Sequence, residues 1–220
     1  MATAFHLPKP SQHIAIIGRN GTGKTQAALW HLSKRNFDVM PYVVLDFKTD
    51  ELVNSIDRAR HIDLREIPRR PGIYIAHPTP QDVEDGSVES FLWRMYEREN
   101  VGGWIDESYM LQRSKAFETL LVQGRSKRIP LTVLTQRPVW VSRYIFSEAA
   151  FFQVFALSDR RDKMTVEAIV PVNLDERLPD FHSHYYDVLR DELIVLAPVP
   201  NADVILARID ARLHKVRGKL

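Results

Sequence analysis

The stretch Gly18 to Thr25, GRNGTGKT, follows directly on the apolar run HIAII and leads into QAALWHLSK, a segment of helical character. A glycine-rich turn between a strand and a helix constrains the fold more than any other feature of the chain. Gly18, Gly21 and Gly23 let the backbone turn its N–H groups inward around an anion, since residues with a Cβ resist the dihedrals required. The helix that follows presents its N-terminus to the same point. This is the phosphate-cradling pattern G-x-x-x-x-G-K-T. Gly18, Asn20, Gly21, Thr22, Gly23, Lys24 and Thr25 are therefore the expected nucleotide contacts, with Lys24 on the β- and γ-phosphates and the Thr25 hydroxyl on Mg²⁺. The expected ligands are ATP and Mg²⁺.

Apolar runs of strand length alternate with amphipathic segments of helical length along the rest of the chain, the βαβ rhythm of a mostly parallel sheet covered on both faces. Strands are read at HIAII, YVVLD, IYIAH, GWIDE, LTVLT and FQVFAL, and helices at Lys24 to Arg35, Val88 to Arg98, Ser114 to Arg125 and Arg161 to Val170. SHYYDVL and ELIVLAP flank a short Arg-Asp turn and read as a hairpin. At 220 residues the chain has room for one domain of this kind. The expected division is a tail over 1–12, a phosphate-binding domain over 13–198 and a basic segment over 199–220. Its stretch ARIDARLHKVRGKL carries Arg208, Arg212, Lys215, Arg217 and Lys219 against Asp210; it reads either as a phosphate-backbone contact or as a frayed, solvated terminus. The absence of cysteine excludes disulfides and thiolate metal sites. No apolar run reaches the roughly 18 residues of a membrane span, and the start lacks a signal-peptide layout, so a cytoplasmic location is expected. A net charge of +2 gives no global nucleic-acid signal.

A phosphate loop leaves the fate of the γ-phosphate open: transfer to a small acceptor, hydrolysis, or use as a switch. VGGWIDES bears on this, because Asp106 at a strand end can hold the Mg²⁺ shell and Glu107, one residue on, can polarise a water for in-line attack. A helix-capping acidic pair is the alternative. LTVLTQRP ends another strand with Gln136, placed to sense the γ-phosphate or position the water. QGRSKRIP carries Arg125, Lys127 and Arg128, of which Arg125 is the first choice for an arginine reaching a neighbouring subunit's nucleotide; a basic helix terminus complementing the dipole is the other reading. Asp46 and Lys48, in VVLDFKTDEL, either help to build the nucleotide site or a subunit contact, or form a plain strand-end ion pair. His182 and His184 flank a single serine and make a poor metal site alone.

In order, GRNGTGKT, VVLDFKTDEL, GGWIDES and QGRSKRIPLTVLTQRP resemble the signature of the FtsK/HerA group of DNA-translocating ATPases, and the compact size resembles its viral branch, the genome-packaging ATPases of membrane-containing icosahedral viruses. The resemblance covers about Ile14 to Arg137. It implies a RecA-like P-loop NTPase of the additional-strand, catalytic-glutamate type, with strand order 5-1-4-3-2. It implies Lys24 and Thr25 on phosphates and Mg²⁺, Asp106 on Mg²⁺, Glu107 as general base, Gln136 as sensor and an arginine near Arg125 acting in trans. It further implies a ring, usually of six subunits, that threads double-stranded DNA into a preformed capsid, working with portal-like proteins at the packaging vertex or in the host cytoplasm. The alternatives are a filamentous-phage assembly and export ATPase and, from a different class, a small-molecule P-loop kinase.

Overall fold

The structure is a computed structural model and describes residues 5–217. Its elements, in chain order, are β1 (His13–Ile17), α1 (Lys24–Leu32), β2 (Pro41–Leu45), α2 (Glu51–Asn54), β3 (Arg60–His61), β4 (Gly72–Ala76), α3 (Pro80–Glu84) and α4 (Ser87–Arg98). They continue with β5 (Gly102–Ile105), α5 (Lys115–Gln123), β6 (Leu131–Thr135), α6 (Tyr144–Glu148), β7 (Ala149–Val154), α7 (Arg160–Glu167), β8 (Ser183–Asp187), β9 (Glu192–Leu196) and α8 (Ala202–Arg217).

Every residue of β1, β2, β4 and β6 is buried. That is why these strands appear in the sequence as unbroken apolar runs: helices cover both faces of a parallel sheet. Alternate residues feed two cores. Ala15, Ile17, Val43 and Leu45 pack on one face with Phe91, Met95, Phe117 and Leu120 of α4 and α5. Ile14, Ile16, Tyr42 and Val44 pack on the other with Leu29 and Leu32 of α1 and Ile205, Ile209 and Leu213 of α8.

One sheet runs in the order β3-β4-β2-β5-β6-β1-β7-β8-β9. Its strands are parallel from β3 to β7, and β8 and β9 extend it antiparallel as the expected hairpin. The expected order 5-1-4-3-2 differs from this and is corrected. β4 lies outside β2, with β3 beyond it, so that the acidic strand β5 follows β2 directly and β6 separates β5 from β1. The reason is steric as well as topological. Gly102 and Gly103 leave β5 without side chains where Tyr42 of β2 and Leu131 of β6 press in; a Cβ at Gly102 would come within 2.2 Å of the Tyr42 ring.

Residues 202–217, read from the sequence as part of a basic segment, form α8. Ile205, Ile209, Leu213 and Val216 are all buried along one side, so the described part of this segment is docked rather than frayed. Arg212 donates to the Ser33 carbonyl at 2.8 Å and lies 4.2 Å over the Phe37 ring. Lys219 lies outside the described residues.

Candidate nucleotide site

The loop after β1 is anchored on both sides. Gly18 N–H donates to the Thr135 carbonyl at the end of β6, at 3.2 Å, and Arg19 N–H donates to the Ala156 carbonyl beyond β7, at 3.0 Å. A Cβ on Gly18 would come within 2.6 Å of Phe155 Cβ, so no larger residue fits this strand end. Gly23 has φ 92° and occupies the N-cap of α1, where no side chain caps the helix and no acidic residue occupies the first turn. The N–H groups that begin a helix are thus left for an outside acceptor. Lys24 is buried, and its ammonium donates to the Arg19 carbonyl at 2.9 Å. Burial, then the nearby Lys48 cation, lower its pKa to about 8, against an upward pull from Asp106. A cation held in this way lacks negative charge, which a phosphate would supply. Thr25, the next residue of α1, is half-buried, and Asn20 is exposed at the loop's turn.

Asp106 emerges from β5 with its N–H on the Leu45 carbonyl at 3.0 Å. It is buried, and burial first of all, with Asp46 adding to it, raises its pKa to about 6, while Lys48 and Lys24 pull the other way. Its Oδ1 accepts from Glu107 N–H at 2.9 Å. A carboxylate desolvated to this degree beside an uncapped phosphate loop fits a divalent cation, which would favour its charged form; the Thr25 hydroxyl is the natural companion ligand. Glu107 takes the left-handed conformation, φ 45°, unusual for a residue with a long side chain. Its carboxylate is only 2% exposed and forms an ion pair with Lys48. Glu107 Oε2 and Ser108 Oγ are buried with no hydrogen-bond partner among the described residues. Glu107 is not the side-chain cap of the turn that follows, so the helix-capping alternative fails for it.

Lys48 answers the question its motif left open. Its partner is not Asp46 but Glu107, and it also donates to Asn20 Oδ1 at 3.4 Å. Asp46, fully buried, instead accepts from Lys48 N–H at 3.1 Å and Asp50 N–H at 2.8 Å. It therefore fixes the backbone from which Lys48 projects.

Gln136 follows Thr135, which pairs with Ile17 across β6 and β1, so it stands half-buried beside the start of the phosphate loop. Lys24, Thr25, Asp106, Glu107 and Gln136 thus gather at the carboxyl ends of β1, β5 and β6. Arg125 does not join them. It is exposed in the turn between α5 and β6, at the amino ends of the strands, close enough to His13 at the start of β1 to influence its charge. Arg137 pairs with Asp162 at 3.5 Å and lies 4.4 Å over the Trp140 ring. Among the described residues no group of three or more His, Cys, Asp or Glu is disposed to hold a metal ion, so His182 and His184 remain without further ligands.

Sequence reasoning missed one part of the site. A cavity of about 460 Å³ opens beside Arg19, Gly21 and Thr22 and is walled by Phe155, Leu157 and Phe181. Phe181 has φ 61° and is 56% exposed. Its ring edge lies 3.3 Å from where a Cβ on Gly23 would stand. Its only sequence signal was an aromatic residue in a loop far from the phosphate motif.

No protein-family model matches the chain. DNA packaging ATPase P9 of Enterobacteria phage PRD1 is 46% identical over 217 residues, an alignment covering 94% of this chain and 95% of that protein. Among solved structures, the genome packaging NTPase B204 from Sulfolobus turreted icosahedral virus 2, in complex with AMPPCP, superposes with a TM-score of 0.68 at 14% identity, over 87% of this chain and all of that one. EssC (ATPases 2 and 3) from Geobacillus thermodenitrificans gives 0.61 at 12% identity, over 95% of this chain and 44% of that one. The last two similarities establish a shared fold.

Proposed function

The chain belongs to the family of viral DNA packaging ATPases that includes P9 of phage PRD1, and from that premise we propose that it is a motor which hydrolyses ATP to drive double-stranded DNA into a preformed capsid. One observation carries the hydrolytic reading: a buried glutamate at the end of β5, directly after the candidate metal-binding aspartate, with its carboxylate spent on no backbone group. Activation of water needs such a carboxylate as proton acceptor, whereas transfer to a small acceptor needs a pocket and a lid for that acceptor.

In this reading the loop N–H groups of Gly18 to Thr25 and the start of α1 hold the phosphates, with Lys24 on the β- and γ-oxygens. The cavity walled by Phe155, Leu157 and Phe181 takes the base. Mg²⁺, held by the Thr25 hydroxyl and Asp106, would neutralise developing phosphate charge. Glu107 accepts the proton of the attacking water, and Gln136 orients that water or senses the γ-phosphate. Arg125 serves the site of the next subunit in a ring, which we take to be a hexamer surrounding duplex DNA. The ring works with portal-like proteins at the capsid's packaging vertex, in the host cytoplasm, or in both. Among the described residues no helix is long and apolar enough to cross a membrane.

ATP turnover measured with and without duplex DNA of arbitrary sequence tests the proposal. Stimulation by DNA is expected. Glu107→Gln should lower turnover at least a hundredfold, the scale of lost general-base catalysis, while nucleotide binding persists. Turnover that ignores DNA and requires a small-molecule acceptor would replace this reading by a kinase.

A further inference from the structure

Docking of α8 spends its apolar side, Ile205, Ile209, Leu213 and Val216, on the core and leaves one flank of the helix with no part in the core or the nucleotide site. Arg208, Arg212 and Lys215 recur at intervals of four and three residues and so share that flank. Asp210 lies on another side of the helix, where it accepts from Arg58 N–H at 3.3 Å. The basic flank faces α1. The two helices run side by side in the same direction, joined near their starts by Gln26 Nε2, which donates to the Pro200 carbonyl at 2.7 Å, and near their ends by Arg212, which donates to the Ser33 carbonyl at 2.8 Å. Lys34, just beyond α1, thereby extends the row. Because α1 starts at the phosphate loop, the row stands a helix length away from the nucleotide site.

Little negative charge answers these cations. Arg212 is met by Asp38, whereas Lys34, Arg208 and Lys215 are exposed and form no ion pair with a described residue. Partial burial, and then the charges of Arg208 and Arg212, hold the Lys34 pKa below its usual value, so the members of the row are close enough to repel one another. A polyanion laid along the row would relieve that repulsion. We propose that the row Lys34, Arg208, Arg212 and Lys215 is a contact for the phosphate backbone of double-stranded DNA. The inference rests on the DNA-motor reading above and deepens it by naming a surface. From Arg208 to Lys215 the helix rises about 10 Å, the rise of about three nucleotides along one strand of a duplex. The contact is to phosphates and not to bases: Lys34 lies over the Trp30 ring at 5.7 Å and Phe5 packs against the same ring, which leaves charge but no open aromatic face. Lipid is a poorer fit, since a helix lying on a membrane inserts its apolar side and that of α8 is already buried.

A short labelled duplex titrated with the full chain at a series of salt concentrations, read by fluorescence anisotropy, tests the contact. Each phosphate contact adds about 0.9 to the slope of log affinity against log salt, so removing three should lower the slope by about 2.7 and weaken binding at least about tenfold at roughly 0.1 M salt. Lys34→Gln, Arg208→Gln and Lys215→Gln together make that change at exposed positions; Arg212 is spared because it also holds the Ser33 carbonyl and packs on Phe37. Lys34→Arg, Arg208→Lys and Lys215→Arg together should keep both slope and affinity, because a phosphate contact needs the charge. ATP turnover without DNA should be unchanged in both variants. Ala211→Cys, exposed on the same flank of a chain with no other cysteine, should attach to duplexes of unrelated sequence when it carries a photocrosslinker. An unchanged slope in the glutamine variant, or the absence of a crosslink, overturns the contact and leaves the ATPase reading intact. Retention on phosphatidylglycerol vesicles that the glutamine variant loses while it keeps its duplex binding would give the row to lipid instead. Failure of the wild type to bind duplex DNA or to be stimulated by it would overturn both the contact and the motor.

Discussion

Phe181 is held in a backbone conformation that a bulky side chain rarely adopts, exposed at the mouth of the cavity beside Gly23. Left-handed dihedrals on non-glycine residues cost about 1–3 kcal/mol and persist where surroundings enforce them, and here the result is an aromatic face directed to the cavity rather than the core. If that face stacks on the base, Phe181→Ala should raise the KM for ATP about tenfold, the size of a lost base–aromatic stack, and leave kcat within twofold. Steady-state kinetics separates the two, and a fall in kcat at unchanged KM would place the residue elsewhere in the cycle.

At the scale of elements, β1 is fastened to its neighbours by a buried histidine. His13 Nδ1 accepts from Leu131 N–H at 2.9 Å and Nε2 donates to the Leu121 carbonyl at 3.1 Å, tying β1 to β6 and to the last turn of α5. The bond accepted at Nδ1 requires the neutral ring, and burial above all depresses its pKa from 6.5 to about 4, against an upward pull from the bond to Leu121. Above pH 6.5 neither state binds the proton and the stabilisation is complete. Between 6.5 and about 4 the unfolded chain takes up a proton that the folded one refuses, so stability falls as pH falls, by about 3 kcal/mol over the window. His13→Gln should be less stable at pH 7.5 by about 1–3 kcal/mol yet lose less between pH 7.5 and 4.5; urea denaturation at the two pH values would show this, and an equal loss in both proteins would acquit the histidine. The strands and long helices were legible because a sheet covered on both faces demands continuous apolar runs and its helices demand one apolar side. Strand order was not, since it depends on which distant edges pair, and only the glycines of β5 hinted at close neighbours. The docking of α8 was legible in principle, from Ile205, Ile209 and Leu213 spaced four apart, but its run of basic residues fits a solvated terminus equally well. Asp106, Glu107 and Lys24 could be found because each sits at a strand or helix end marked by local pattern. The pairing of Lys48 with Glu107 joins two such ends through β2 and β5, and no local pattern announces that these strands adjoin.

For the whole molecule, the position of Arg125 decides whether one chain is a complete enzyme. It precedes β6, and the phosphate loop follows β1, parallel to β6 and paired with it. A five-residue strand is about 16 Å long, more than an arginine side chain spans, so Arg125 cannot serve the phosphates of its own chain. If it serves any, they are a neighbour's, brought to it by a head-to-tail contact of the kind that closes into a ring. In such an assembly each Arg125→Ala subunit silences the site of the subunit beside it and keeps its own site sound, whereas Glu107→Gln silences its own. Equal mixtures of the two variants should therefore recover activity at interfaces where an intact Arg125 meets an intact Glu107, while alone the Glu107 variant stays at least about a hundredfold below wild type and the Arg125 variant about 10³-fold or more, the range for arginines acting in trans. Turnover assayed after co-assembly distinguishes the cases. Recovery in the mixture requires a shared site; mixtures no more active than the average of their components would mean that Arg125 contributes only to the fold or to another surface.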